Sequence, residues 1–216
     1  MSLDKSYAVF GLGRYGLAVA RELASHGAEV LAVDVDEAVV ADAAIELPLC
    51  KCADVTDPDA IRQLGISNVD TVIVAMAGSM EAGIMAIMLC REAGVSTIIA
   101  KSRNEMHGRI LRKIGADKVV FPESESGTRL ARNLLSQGFI DMVELTDEIS
   151  IIEMDPRPEW LGKSLAELRL RQKYDMNVIA FFQDGCVSTV IDPVAPISAD
   201  QKLIVVANTQ RLQKLK

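Results

Sequence analysis

Three glycines near the start of the chain have the spacing of a phosphate-binding turn. The segment reads Gly11-Leu12-Gly13-Arg14-Tyr15-Gly16, and it follows a short apolar run at 7–10. Between a strand and a helix, the first glycine permits the tight turn and the second lets backbone approach a pyrophosphate, while the third lets helix pack on strand. Phosphates then lie at the helix N-terminus, where backbone N–H groups are free. The segment predicts a nucleotide site.

An acidic residue stands where a bound nucleotide needs an acceptor for its ribose. Asp34 closes the apolar run Val30-Leu31-Ala32-Val33, about 20 residues beyond the glycine turn. We expect it to accept from the ribose hydroxyls. The alternative is a helix-capping acid beside a structural glycine turn. A carboxylate here also disfavours a 2′-phosphate, which makes NADP the least favoured adenine nucleotide.

Two further groups of candidates follow the third and fourth predicted strands. Asp54, in Ala53-Asp54-Val55-Thr56, is expected to accept from an adenine amino group, and its alternative role is to cap the next helix. Val55 beside it and Ala75 at the end of the fourth strand join the expected contacts, because ligands of such folds lie beyond the carboxyl ends of the strands.

Three charged residues are candidates for the phosphate end of the ligand. Arg14 lies inside the glycine turn, where a guanidinium can hold terminal phosphate oxygens, or it is a solvated arginine. Lys101 either meets phosphate charge or is an ordinary solvated lysine. Glu123 would repel phosphates unless a divalent cation such as magnesium lay between them, so it is the candidate metal ligand. Its alternative role is a favourable charge at a helix N-terminus.

The first part of the chain alternates β-rich runs with amphipathic helical runs. This rhythm predicts an α/β fold, a Rossmann-like doubly wound parallel sheet covered by helices. Asp57-Pro58 predicts the start of one helix, and 71–90 reads as strand, turn and helix rather than a membrane span. The expected strands are 7–10, 29–33, 49–52, 71–75, 97–100 and 118–121.

After Gly138 the runs become shorter and are separated by turns. We expect a smaller α+β domain at 139–216, following a nucleotide-binding domain at 1–138. Asp184-Gly185 predicts a hairpin, and Ser164 predicts the cap of a helix that runs toward Tyr174. The expected strands are 139–145, 150–154, 178–182, 187–191 and 203–206, after a helix at 124–137.

Composition narrows the class of protein. The 216 residues carry a formal net charge of −7, which argues against a nucleic-acid partner. The four cysteines show no metal-binding or disulfide pattern, and we interpret them as reduced thiols of a cytoplasmic protein.

A catalytic constellation is missing from the sequence. No Tyr is followed four residues later by Lys, and the histidines, His26 and His107, fall at or within helical runs where we expect surface positions. We therefore expect no catalytic residues and a binding protein rather than an enzyme. An NAD-dependent oxidoreductase is the alternative.

These segments together resemble the cytoplasmic RCK proteins of the KtrA and TrkA type, which regulate bacterial potassium uptake. The N-terminal part matches at 8–16, at Asp34, at the Asp54 loop and at 120–123, and the C-terminal part matches at 161–165 and 174–180. The family loop commonly reads Gly-Asp-Ala-Thr, so Ala53 and Val55 are departures near the adenine contact.

The resemblance implies a regulatory subunit that gates a membrane potassium transporter from the inner face of the cell membrane. It implies ATP and ADP as opposing ligands, with NAD and NADH as further candidates, and Arg14 at the γ-phosphate across a subunit boundary. It also implies a homodimer that assembles into a tetramer or an octameric ring. Some relatives receive cyclic di-AMP in the smaller domain, where Leu165, Leu170 and Arg171 are candidates here, with an ordinary dimer contact as the alternative.

Overall fold

The computed structural model describes residues 5–76, 78–135, 139–146 and 148–208, without the side chains of 132, 133, 135 and 139–144. The chain forms two compact units, Met1–Ser124 and Glu125–Lys216. Gly138, where the sequence predicts the domain boundary, lies outside the described residues. That boundary stays a prediction.

The first unit contains a six-stranded parallel sheet with the order β3-β2-β1-β4-β5-β6. The predicted doubly wound α/β fold is confirmed. Its strands are β1 Ser6–Phe10, β2 Glu29–Asp34, β3 Cys50–Cys52, β4 Thr71–Val74, β5 Thr97–Lys101 and β6 Lys118–Val120. Its helices are α1 Arg14–Ser25, α2 Glu37–Ala43, α3 Pro58–Gln63, α4 Met80–Glu92 and α5 Glu105–Ile114, and α6 Pro122–Leu135 begins in this unit and ends in the second.

Helices cover both faces of this sheet, and the central strands are apolar for that reason. Along β1, Phe10 packs in one core cluster and its neighbour Val9 in another. Val33 and Ala32 divide in the same way along β2. Alternate side chains of a strand point to opposite faces, so each cluster is the core beneath one layer of helices.

The helix that follows β3 begins where the sequence predicts. The carboxylate of Asp57 accepts a hydrogen bond from the N–H of Asp59 at 2.8 Å, and Pro58 occupies the first helical position. Within 71–90, β4 ends at Val74, Gly78 lies in a turn and α4 begins at Met80, as expected. Among the described residues, no helix combines the length and the apolar character that a membrane span requires.

The second unit contains a five-stranded antiparallel sheet with the order β10-β9-β11-β8-β7. Its strands are β7 Phe139–Glu144, β8 Ile149–Met154, β9 Met176–Gln183, β10 Cys186–Ser188 and β11 Lys202–Asn208. The predicted hairpin is confirmed, because Asp184 and Gly185 join β9 to β10 with φ of 52° and 79°. Positive φ at both central residues is the geometry that such a two-residue turn needs.

Two predictions for this unit are wrong in extent. The helix expected to run from Ser164 to Tyr174 is two short helices, α7 Leu165–Leu168 and α8 Leu170–Tyr174, because Arg169 has a left-handed conformation with φ 49°. The strand expected at 187–191 ends at Ser188, and Val190 beyond it is 88% exposed.

Candidate nucleotide-binding site

A cleft of about 510 Å³ opens at the carboxyl ends of β1 to β4. The strand order reverses between β1 and β4, and ligands of doubly wound folds bind at such a point. The volume lies within the range that small-molecule sites occupy. Its lining residues are Gly11, Gly13, Val33, Asp34, Val35, Ala53, Asp54, Val55, Thr56, Ala75, Met76, Gly78, Ser79 and Ala82.

The glycine turn presents bare backbone to this cleft. Gly11 has φ +89°, and its N–H donates to the carbonyl of Val33 at 2.8 Å. Gly13 is the N-cap of α1, no side chain caps that helix end, and a Cβ at this position would meet nothing within 4 Å. The first N–H groups of α1 therefore need an outside acceptor, which an anion can supply.

Gly16 keeps α1 against the sheet rather than lining the cleft. A Cβ on Gly16 would overlap the carbonyl oxygen of Gly11 and lie 3.1 Å from the Cβ of Ala75. The helix can approach the strand end this closely only without a side chain here, which is the packing task expected of the third glycine.

Asp34 lines the cleft and fastens the loops that surround it. Its Oδ2 accepts from the N–H of Leu12 at 2.7 Å, and its Oδ1 accepts from the N–H of Asp36 at 3.1 Å. A carboxylate has about four lone-pair sites, so each oxygen can accept one more hydrogen bond. Ribose hydroxyls would supply such donors. Leu12 itself is buried in the core and takes part through its backbone.

Asp54 also lines the cleft, in the loop after β3. Its Oδ1 accepts from the N–H and the Oγ1 of Thr56, at 2.9 and 2.7 Å. These hydrogen bonds hold the pKa of the Asp54 carboxyl below its ordinary value. Asp57 caps α3, so the alternative role of Asp54 as the helix cap is wrong.

Four of the predicted contacts, Arg14, Tyr15, Lys101 and Glu123, are not among the residues that line the cleft. Arg14 is exposed at the first position of α1, and Tyr15 is half-buried next to it. The Lys101 ammonium lies 2.6 Å from Glu123 Oε1 and 5.5 Å from the centre of the Tyr15 ring. Lys101 and Glu123 therefore pair with each other, and Lys101 is not the solvated lysine of the alternative reading.

This ion pair lowers the pKa of the Glu123 carboxyl, chiefly through its hydrogen bond from Lys101. Within the described ranges, no group of three or more His, Cys, Asp or Glu side chains could hold a metal ion. A cation at Glu123 would compete with the Lys101 ammonium. The metal role of Glu123 stays a prediction.

Sequence reasoning missed several lining residues. Val35, directly after Asp34, is 69% exposed and offers the cleft an apolar surface. On the β4 side, Met76 packs against Gly11, and Ser79 caps α4 by accepting from the N–H of Ala82 at 3.2 Å. The sequence predicts a turn within 71–90, and a turn at the end of a parallel strand is the signal that could have indicated these positions.

Two other expectations need correction. His107 is 5% exposed, its Nε2 has no hydrogen-bond partner among the described residues, and its pKa is lowered by burial, so the expected surface position is wrong. In the second unit Leu170 is 4% exposed in the core, whereas Arg171 is exposed. Leu170 is therefore not available to a ligand on the surface of this unit.

The fold and the cleft define a doubly wound nucleotide-binding unit followed by a small antiparallel unit. The TrkA-N domain model matches residues 7–122 and the TrkA-C domain model matches residues 149–216. The chain is 34% identical over 214 residues to Ktr system potassium uptake protein C of Bacillus subtilis, covering 98% of this chain and 96% of the relative. The chain therefore belongs to the TrkA-N and TrkA-C family of potassium uptake proteins, and the resemblance to RCK proteins is confirmed.

Solved structures agree with this assignment of the fold. The crystal structure of the GsuK RCK domain has a TM-score of 0.66 at 18% identity, covering 100% of this chain and 48% of that chain. The structure of GsuK bound to ADP has a TM-score of 0.50 at 26% identity, covering 62% of this chain and 34% of that chain. The protein thus spans 48% of the GsuK RCK domain chain and 34% of the ADP-bound GsuK chain.

Proposed function

We propose that this protein binds an adenine nucleotide in the cleft and, as a regulatory subunit, passes the bound state to a membrane potassium transporter. The observation that carries the proposal is one cleft lined by the bare glycine turn at Gly13 and by the carboxylates of Asp34 and Asp54. The potassium uptake protein of Bacillus subtilis supports the choice of partner. The GsuK structure bound to ADP supports the choice of ligand class.

The residues present fit an adenosine diphosphate moiety. The pyrophosphate would lie against Gly13 and the N-terminus of α1, where no side chain obstructs it. The ribose would donate to Asp34. The adenine would lie against the apolar surface of Val35 and Val55, with its amino group toward Asp54.

Regulation requires that two ligands prefer different conformations of the protein. ATP and ADP share every contact named above and differ in the γ-phosphate. Arg14 is the nearest arginine in sequence to the phosphate turn, and it is exposed. In our proposal it contacts the γ-phosphate, within one subunit or from a neighbour in a homodimer that assembles into a tetramer or an octameric ring at the inner face of the membrane.

Calorimetric titration with ATP, ADP, NAD and NADH, with and without magnesium, tests ligand binding. We expect micromolar or tighter binding of ATP and ADP, and weaker binding of every nucleotide to Asp34→Asn. Asp42→Asn is the matched control, because Asp42 is exposed on α2 and does not line the cleft. Absence of binding by all four compounds would refute the proposal. Much tighter binding of NADH than of ATP would favour either the oxidoreductase alternative or an NAD-responsive regulator without a transporter.

Coexpression tests the regulatory role. We expect the protein to increase growth at low potassium in cells that depend on a potassium uptake membrane subunit, and Asp34→Asn to reduce this effect while Asp42→Asn does not. Growth that is the same with and without the protein would contradict the role. A cyclic di-AMP site in the second unit stays a prediction.

A further inference from the structure

The two oxygens of the Asp54 carboxylate have different surroundings. Oδ1 accepts two hydrogen bonds, from the N–H and the hydroxyl of Thr56 at 2.9 and 2.7 Å. Within the part of the chain that the structure describes, no hydrogen bond to Oδ2 is found. A carboxylate oxygen has about two lone-pair sites, so Oδ1 is filled and Oδ2 is open.

Thr56 also holds this arrangement in place. It is half-buried, it lines the cleft, and its two donors fix the carboxylate from one side. The turn continues through the N–H of Asp57, which donates to the carbonyl of Asp54 at 3.1 Å. Asp54 therefore lines the cleft with one carboxylate oxygen held by Thr56 and the other available to a ligand.

One free oxygen suits adenine better than guanine. Adenine offers a single amino group on its Watson–Crick edge, beside a ring nitrogen that is an acceptor. Guanine carries an N–H and an amino group side by side, and a carboxylate with two open oxygens binds both donors together. Because Thr56 already fills Oδ1 of Asp54, guanine cannot make that paired contact. The guanine carbonyl oxygen would also be repelled by the negative charge of the carboxylate.

We infer that Thr56 is a positioning residue that makes the cleft select adenine over guanine by occupying one oxygen of Asp54. The inference rests on the proposed nucleotide binding, and it concerns the choice of base. Thr56 acts through Asp54 and need not touch the ligand.

The test measures affinities for ADP and GDP in the full-length protein. In Thr56→Val the hydroxyl bond is lost and one lone pair of Oδ1 opens, so we expect the ratio of ADP to GDP affinity to fall by about tenfold, with part of the change a gain for GDP. Thr56→Ser keeps the hydroxyl and should keep the ratio. Thr189→Val is the matched control, because Thr189 is exposed in the second unit.

A second variant keeps the test decisive if Thr56→Val does not fold. Asp54→Asn replaces one acceptor by a donor, and we expect it to remove the preference for ADP over GDP. An unchanged ratio in folded Thr56→Val, while ADP still binds the wild type, overturns this inference and leaves the proposed function standing. If Thr56→Val does not fold, an unchanged ratio in Asp54→Asn overturns it. If the wild type binds neither nucleotide, both proposals fail.

Discussion

Two substitutions in the glycine turn, Gly13→Ala and Gly16→Ala, should have separate effects on ADP affinity and on folding stability. In Gly13→Ala the new Cβ meets no protein atom within 4 Å, and the backbone has φ −63° and ψ −179°, which alanine adopts without strain. Alanine makes the unfolded chain less flexible, which raises the free energy of unfolding by about 0.4–1 kcal/mol. This gain is offset because alanine is a poorer N-cap than glycine. We expect the stability of Gly13→Ala to stay within about 1 kcal/mol of the wild type.

In Gly16→Ala the Cβ overlaps the Gly11 carbonyl oxygen and crowds Ala75, so backbone must move. Overpacking of this kind costs about 3 kcal/mol at the upper end of its usual range. The melting temperature of this unit should then fall on the order of 10 °C. The cost falls on stability because Gly16 does not line the cleft.

Ligand binding should show a different order of effects. The Cβ of Gly13→Ala occupies space that the pyrophosphate needs, so ADP should bind at least about tenfold more weakly, or 1.4 kcal/mol. Gly127→Ala is the matched control, since Gly127 also has open space around it but lies on α6. Calorimetric titration and thermal unfolding measure both quantities. Wild-type ADP affinity in Gly13→Ala, or wild-type stability in Gly16→Ala, would refute the reasoning.

Three further predictions follow from single side chains. Arg14→Ala should weaken ATP binding by roughly three- to tenfold and leave ADP affinity unchanged, because an exposed charge pair contributes only a small binding free energy. Equal losses of ATP and ADP affinity in a calorimetric titration would count against this prediction. Glu123→Gln should reduce the effect of magnesium on ATP affinity, and an equal effect in both proteins would exclude a cation there. Burial and Arg103 lower the pKa of His107 below its ordinary 6.5, so the unfolded chain binds more protons and stability is lost as pH falls below about 6.5. Urea unfolding at pH 7.5 and 5.5 should show a smaller loss in His107→Leu than in the wild type, and equal losses would contradict this.

Local sequence patterns were sufficient for the first unit and for half of the site. The run at 7–10, the glycine spacing and Asp34 belong to one strand–turn–helix–strand segment, so their placement depends on neighbouring residues alone. Asp57-Pro58 and Asp184-Gly185 were predicted for the same reason, since caps and tight turns are decided by a few adjacent residues.

The rest of the site depends on which loops meet in space. Met76 and Ser79 line the cleft because β4 pairs with β1 rather than with β3. The order of strands in a sheet cannot be predicted from the composition of short segments. The pairing of Lys101 with Glu123 likewise joins the ends of β5 and β6. His107 was placed wrongly because the buried side of α5, which includes Gly108 and Leu111, is fixed by tertiary packing.

In the proposed complex, affinity and discrimination would reside on different residues. The backbone at Gly13 and the carboxylates of Asp34 and Asp54 would face parts that ATP and ADP share, so these contacts would give binding without preference between the two nucleotides. Only a group that meets the terminal phosphate can favour one of them, and a ligand shifts a conformational equilibrium only by its differential affinity for the two states. Arg14→Ala should therefore reduce signalling in a protein that still binds nucleotide, whereas Asp34→Asn should weaken binding and signalling together. A regulator whose signal survives without Arg14 would need a second group at the γ-phosphate, and Lys101, released from Glu123, is one described residue with the right charge.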